Sequence, residues 1–204
     1  LFSTYDPVNE TAAFTRTFQF VINWFWLYNP DEVINRIGPL PGYVLETTYL
    51  LLYAFPTTAL GFVTAEHSPA ASRRFLLVLF LGVFSAYALL PLFPVLSPRL
   101  IDKSVDGPSF EGITRHWNVW LLDHYDNSPG VFPSGHVAVA FSCAFGLLRS
   151  IPHRRGIWAT AFVLATLVYM ATIYGRYHYA VDGLASIVIT SLAWRISNRI
   201  TTRL

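Results

Sequence analysis

From Phe75 to Val95 the chain runs for 21 residues without a charged side chain, and from Ile157 to Tyr174 it does so again for 18. Runs of that length match the hydrocarbon thickness of a bilayer, where backbone N–H and C=O groups must be satisfied within the protein. Helices meet that requirement segment by segment. The predicted fold class is therefore all-α, a polytopic transmembrane helical bundle of five or six spans. Composition agrees: 53% of the 204 residues are hydrophobic, only 13% are charged, and mean hydropathy is +0.43. A water-soluble domain carries nearly twice that charged fraction.

The spans can be placed from breakers and flanking charges. Tyr43–Val63 is the first, with Glu46 near one end and Pro56 as a kink. Phe75–Val95 follows, bounded by Arg73-Arg74 and Pro98-Arg99, then Val137–Leu148, Ile157–Tyr174, and a last span from His178 to Trp194. Ahead of them, Phe14–Tyr28 is rich in Phe and Trp but interrupted by polar residues, which suits an interfacial or short transmembrane helix. The breaker cluster Gly38-Pro39-Leu40-Pro41-Gly42 closes that region. The expected division is an N-terminal segment, 1–41, and a membrane-embedded catalytic domain, 42–204. Eight arginines (73, 74, 149, 154, 155, 195, 199 and 203) fall on one side of these spans. Arg99, Lys103, Arg115 and Arg176 fall on the other. The positive-inside rule then puts the first side in the cytoplasm and the second outside. The lone cysteine, Cys143, sits within an apolar span and reads as a buried, inert thiol. A net charge of +2 without any basic-aromatic signature gives no reason to expect nucleic acid.

Three polar clusters emerge on the outer side: Pro98-Arg99, Pro133-Ser134-Gly135-His136, and Arg176 to Asp182. In the second, Ser134 is a strong N-cap residue ahead of an uncharged run. A helix start there directs unpaired N–H groups, a hydroxyl and an imidazole at one place, which favours an anion. In the third, His178 and Asp182 are four residues apart and share a face at a helix start. A carboxylate so placed fixes the imidazole tautomer and leaves the other ring nitrogen basic. Tyr177 and Tyr179 beside them read as interfacial anchors. A rival group, His116, Asp123, His124 and Asp126, has no recognised metal-ligand spacing. Trp117 and Trp120 in the same stretch fit a surface helix over the site.

The spaced pair of motifs resembles the type 2 phosphatidic acid phosphatase superfamily, which also includes vanadium haloperoxidases and inositol phosphorylceramide synthase. Pro133 to His136 matches its PSGH motif, and His178 with Asp182 matches its H-x-x-x-D ending; the likeness covers roughly residues 80–195. Two positions depart from the pattern. The first family motif is K-x6-R-P, whereas here the order is Pro98-Arg99 with Leu92 at the lysine position, as in the inositol phosphorylceramide synthase branch. The arginine six before the last histidine is replaced by Thr172, with Arg176 only two before it. The resemblance implies a lipid phosphate phosphatase in the plasma membrane that works without a metal or other cofactor. His178 would be the nucleophile, Asp182 its orienting partner and His136 the general acid and base. Arg99, Ser134, Gly135 and Arg176 would bind the phosphoryl oxygens. Transfer of a phosphoryl-alcohol head group between lipids is the alternative reaction, and a non-enzymatic anion binder or transporter is a third. The expected partners are a lipid phosphate and membrane lipids, with homo-oligomerisation left open.

Overall fold

The computed structural model describes residues 38–98, 111–125 and 130–201. The aromatic helix expected at Phe14–Tyr28 lies outside them, as do Arg99, Asp126 and the charges from Asp102 to Asp106. Every regular element among the described residues is helical. These are α1 (Leu40–Leu51), α2 (Phe55–Thr64), α3 (Pro69–Tyr87), α4 (Ile113–Tyr125), α5 (Gly135–Ser150), α6 (Arg155–Tyr174) and α7 (Ala180–Thr201), with 3-10 turns at Leu52–Ala54 and Leu90–Leu92.

Proline sets several boundaries. Pro56 lacks an N–H and is tolerated only in a first helical turn, so the Tyr43–Val63 span is two helices joined by the 3-10 turn just before it. Ser68 caps α3 by accepting from the Ala71 N–H, and Pro69 occupies the first helical position. The second span therefore begins six residues ahead of Phe75 and includes Arg73 and Arg74. It also ends early, at Tyr87, because Pro91 and Pro94 cannot extend the ladder. The last helix starts at Ala180, so His178 stands in the turn before it rather than on it.

The centre of the bundle is α5, with α3, α6, α7 and α2 packed around it. Its buried face is built from small residues, among them Ala138, Ala140, Ser142, Cys143, Ala144 and Gly146. Small side chains let neighbouring backbones approach closely, which is how helices associate in lipid. At Gly146 the approach is close enough that a Cβ there would lie 2.8 Å from the Phe75 ring. Cys143 is fully buried in this face. Among the described residues three stretches, Pro69–Leu92, Arg155–Tyr174 and Ala180–Ile200, are long and apolar enough to cross a membrane, and α5 adds a shorter apolar helix. The protein is a helical membrane protein.

Candidate active site

The N-terminus of α5, the turn between α6 and α7, and the middle of α1 converge at one end of the bundle. Ser134 caps α5 as expected: its Oγ accepts from the Val137 N–H at 3.3 Å. The cap is tied to α7, because the Ser134 N–H donates to the Asp182 carbonyl at 3.1 Å. The Ser186 hydroxyl sits between the Ser134 and Asp182 carbonyls, at 2.8 and 2.9 Å. Two helix starts are thus held side by side by backbone groups, and their histidines meet. His178 Nε2 faces His136 Nδ1 at 3.4 Å.

Asp182 takes the Tyr179 N–H on Oδ2 at 2.9 Å, capping α7, and the same oxygen lies 3.4 Å from His178 Nδ1. The nearer acceptor for that nitrogen is the Val131 carbonyl, at 3.0 Å. A proton on Nδ1 serves both oxygens, which leaves Nε2 with its lone pair directed at His136. His178 is 4% exposed and Asp182 fully buried, so this tautomer is enforced from two sides. The Val131 strand of chain is itself anchored, its N–H donating to the Val95 carbonyl at 2.9 Å. That pairing brings the Phe93–Pro98 stretch beside the site. Arg99, the next residue, lies outside the described residues.

The other face of His136 meets α1. Its Nε2 is 3.1 Å from the Tyr49 hydroxyl, the two rings stack with centroids 4.9 Å apart, and Tyr53 adds an edge contact. Tyr49 is completely buried. With a proton on Nε2 the Tyr49 oxygen is its acceptor, and Nδ1 is then the nitrogen turned to His178. At the start of α5 the chain needs glycine: a Cβ on Gly135 would come within 2.9 Å of the Tyr87 hydroxyl.

A buried charge cluster braces the His178 turn. Arg115, on α4, directs Nη1 at the Gly175 carbonyl (2.9 Å), Glu46 Oε1 (3.1 Å) and the Tyr177 hydroxyl (2.7 Å). Glu46 Oε2 accepts from Tyr177 and from Asn118, each at 2.7 Å, and Asn118 also donates to the Glu46 carbonyl. Burial pushes the Tyr177 phenol well above its ordinary pKa, and Glu46 acts in the same direction against the opposing Arg115. Tyr177 therefore stays protonated and remains a donor. Tyr177 and Tyr179 are 3% and 2% exposed, which corrects their reading as interfacial anchors: both are core residues.

Thr172, at the position where an arginine was expected, has another task. Its carbonyl accepts from both the Tyr177 and His178 N–H groups, and its hydroxyl donates to the Tyr169 carbonyl. It shapes the turn. Arg176, half-buried at the crest, has φ 58°, the left-handed region that costs a side-chain-bearing residue about 1 kcal/mol or more. In the rival loop group, His116 and His124 each face a carbonyl four residues back, Gly112 just ahead of α4 and Trp120 within it. Trp117 and Trp120 lie on the exposed side of that helix, while Asn118 and Leu122 are buried.

A family model of the PAP2 superfamily matches residues 21–196. A PA-phosphatase related-family protein of Dictyostelium discoideum is 32% identical over 119 residues, which make up 52% of this chain and 20% of that relative. The chain thus aligns with about a fifth of the length of that curated relative. No solved structure matches the chain significantly.

Proposed function

The chain belongs to the PAP2 superfamily, and from that premise we propose that it hydrolyses a lipid phosphate or isoprenoid diphosphate through a phosphohistidine at His178. The observation that supports this most is the pair of nitrogens, His178 Nε2 and His136 Nδ1, facing each other with their other nitrogens already bonded. In the first half-reaction His178 Nε2 attacks phosphorus and the P–O bond to the lipid breaks. The departing oxygen takes the proton from His136 Nδ1. In the second half, Nδ1 takes a proton from water, the water oxygen attacks phosphorus, and the P–N bond breaks. Phosphate leaves and His178 is regenerated.

At 3.4 Å the two rings must part to admit a phosphoryl group. His136 is part-exposed where His178 is buried and held on two sides, so the opening is on the His136 side of the pair. Ser134, the Gly135 N–H, Arg99 and Arg176 are assigned to the equatorial oxygens, where charge accumulates. The strained backbone of Arg176 is consistent with such a role, because strain persists where a side chain must be presented. The arginine distribution supports an extracytoplasmic site, and the plasma membrane is the proposed location.

Transfer to a second lipid alcohol uses the same first half and differs only in the acceptor. Leu92 in place of the family lysine favours it, whereas a site at the membrane-water boundary favours water. Single-turnover reaction in oxygen-18 water tests the choice. Label in released inorganic phosphate is the expected result. Phosphorus recovered only in a new lipid ester, without label, would replace hydrolysis with transfer.

A further inference from the structure

At the end of the bundle opposite the histidines, α3, α5 and α7 come level around two arginines and a group of buried donors. The level follows from the packing register. A Cβ on Gly82 would meet the Ser142 hydroxyl and lie 3.3 Å from the Thr190 methyl, so the three helices are matched at that height. One turn further, Gly146 abuts the Phe75 ring and Phe145 stacks on Trp194, with centroids 5.4 Å apart. The next turn of α5 carries Arg149 and Ser150, and it comes level with Arg74 on α3. The positive charge of Arg74 acts on Arg149 there.

Arg149 Nε, Ser150 Oγ and Trp194 Nε1 are all buried with no hydrogen-bond partner among the described residues. Ser150 as a whole is 7% exposed. Protein interiors leave few polar atoms in that condition. The Arg and Trp side chains can only donate, so the group that completes them is an acceptor. Its charge follows from the surroundings. Two guanidinium groups repel each other here, and neither has a carboxylate partner among the described residues. Glu66, the described carboxylate at this end, is already held by Arg154 at 2.9 Å and His153 at 3.2 Å. The carbonyl end of α5 accounts for one arginine in its last turn, but not for a second beside it or for the buried donors.

We propose that α3, α5 and α7 bind an oxyanion of the phosphate class at this level, between Arg74 and Arg149 and over the Ser150 and Trp194 donors. Arg149 lies fourteen residues along α5 from Gly135, or about 21 Å, so this site is separate from the histidine pair. Guanidinium groups suit phosphate oxygens in charge and geometry, whether the phosphate is free or the head group of a lipid in the adjoining leaflet. The proposal does not depend on any reaction at His178.

Phenylglyoxal modifies guanidinium groups, and its rate at each arginine, mapped by mass spectrometry on the full chain in neutral detergent, reports which ones an anion covers. Arg154, at the same end but held by Glu66, is the internal control. Inorganic phosphate, phosphatidylglycerol and phosphatidylcholine are added separately, the lipids as mixed micelles. Modification of Arg74 and Arg149 should slow about fivefold or more, with Arg154 unchanged, once a bound anion exceeds its Kd several times over. Slowing by phosphate alone identifies a free oxyanion, by phosphatidylglycerol alone a lipid head group, and by both the phosphate group whatever carries it. Trp194→Phe keeps the stack on Phe145 and removes the N–H, and Ser150→Ala removes the hydroxyl. Each should raise the concentration needed for half protection about tenfold, as expected for a hydrogen bond to a charged group. Should either variant lose its thermal unfolding transition, Arg74→Gln on the exposed rim replaces it and should abolish protection of Arg149. Equal slowing at Arg154 would mean diffuse screening, and equal slowing by phosphatidylcholine and phosphatidylglycerol would mean coverage by bulk lipid; either result overturns the proposal. So would slowing by none of the three, or protection unchanged in the folded variants.

Discussion

Tyr49 shows how much of a catalytic site can rest on one hydroxyl that no motif marks. Its oxygen lies 3.1 Å from His136 Nε2, and in the proposed mechanism it accepts the proton held there, which leaves Nδ1 for proton transfer. Tyr49→Phe keeps the stacked ring and removes the acceptor. The expected result is a fall in kcat of roughly tenfold or more with an alkyl phosphate, within the range of acid–base contributions. With a nitrophenyl leaving group, which needs no protonation, the rate of the first burst of nitrophenol release should barely change. Equal losses on both substrates would show that Tyr49 serves only packing. In the sequence Tyr49 was one more aromatic residue in an apolar span, indistinguishable from those that face lipid. His136, His178 and Asp182 were legible because their residue types and spacing are themselves the signal. The Val131 carbonyl, the nearest acceptor to His178 Nδ1, could not be, since every residue has a carbonyl and only the fold selects one.

At the scale of elements, α1 links the two halves of the site, for Tyr49 and Glu46 lie one turn apart on its buried face. Through Arg115 and Tyr177, Glu46 fastens α4 and α1 to the turn that carries His178. Every oxygen of the Glu46 carboxylate is bonded, and such a buried pair is costly to break from one side only. Arg115→Met should lower stability by about 3 kcal/mol, which for a chain of this size is roughly 6–12 °C in Tm. Thermal unfolding in detergent checks this, and the double variant Glu46→Leu with Arg115→Met should recover part of the loss. A single variant as stable as the parent would show that the cluster does not brace the turn. The existence of the spans was readable from apolar length alone. Their ends were not: hydropathy counts Leu92 and Val95 as span, while Pro91 and Pro94 end the helix. The pairing of Glu46 with Arg115, 69 residues away, left no local trace.

The whole molecule separates its charges by end. Glu66 with His153 and Arg154 lies at the end opposite the histidines, where Arg154 and His153 hold the Glu66 carboxyl below its usual range. On a Cys143→Ala background, Glu111→Cys should react with an impermeant thiol reagent added outside intact cells, and His153→Cys should not. The reverse pattern would move the site to the cytoplasmic face. The central claim, however, is chemical: His178 takes the phosphoryl group and His136 completes the proton transfers. Mass spectrometry of His136→Ala, quenched under alkaline conditions during reaction with nitrophenyl phosphate, tests it most directly. The account predicts one added phosphoryl group on the peptide containing His178, and no such adduct nor turnover in His178→Ala. A fully active His178→Ala enzyme, or an adduct on any other residue, would contradict it.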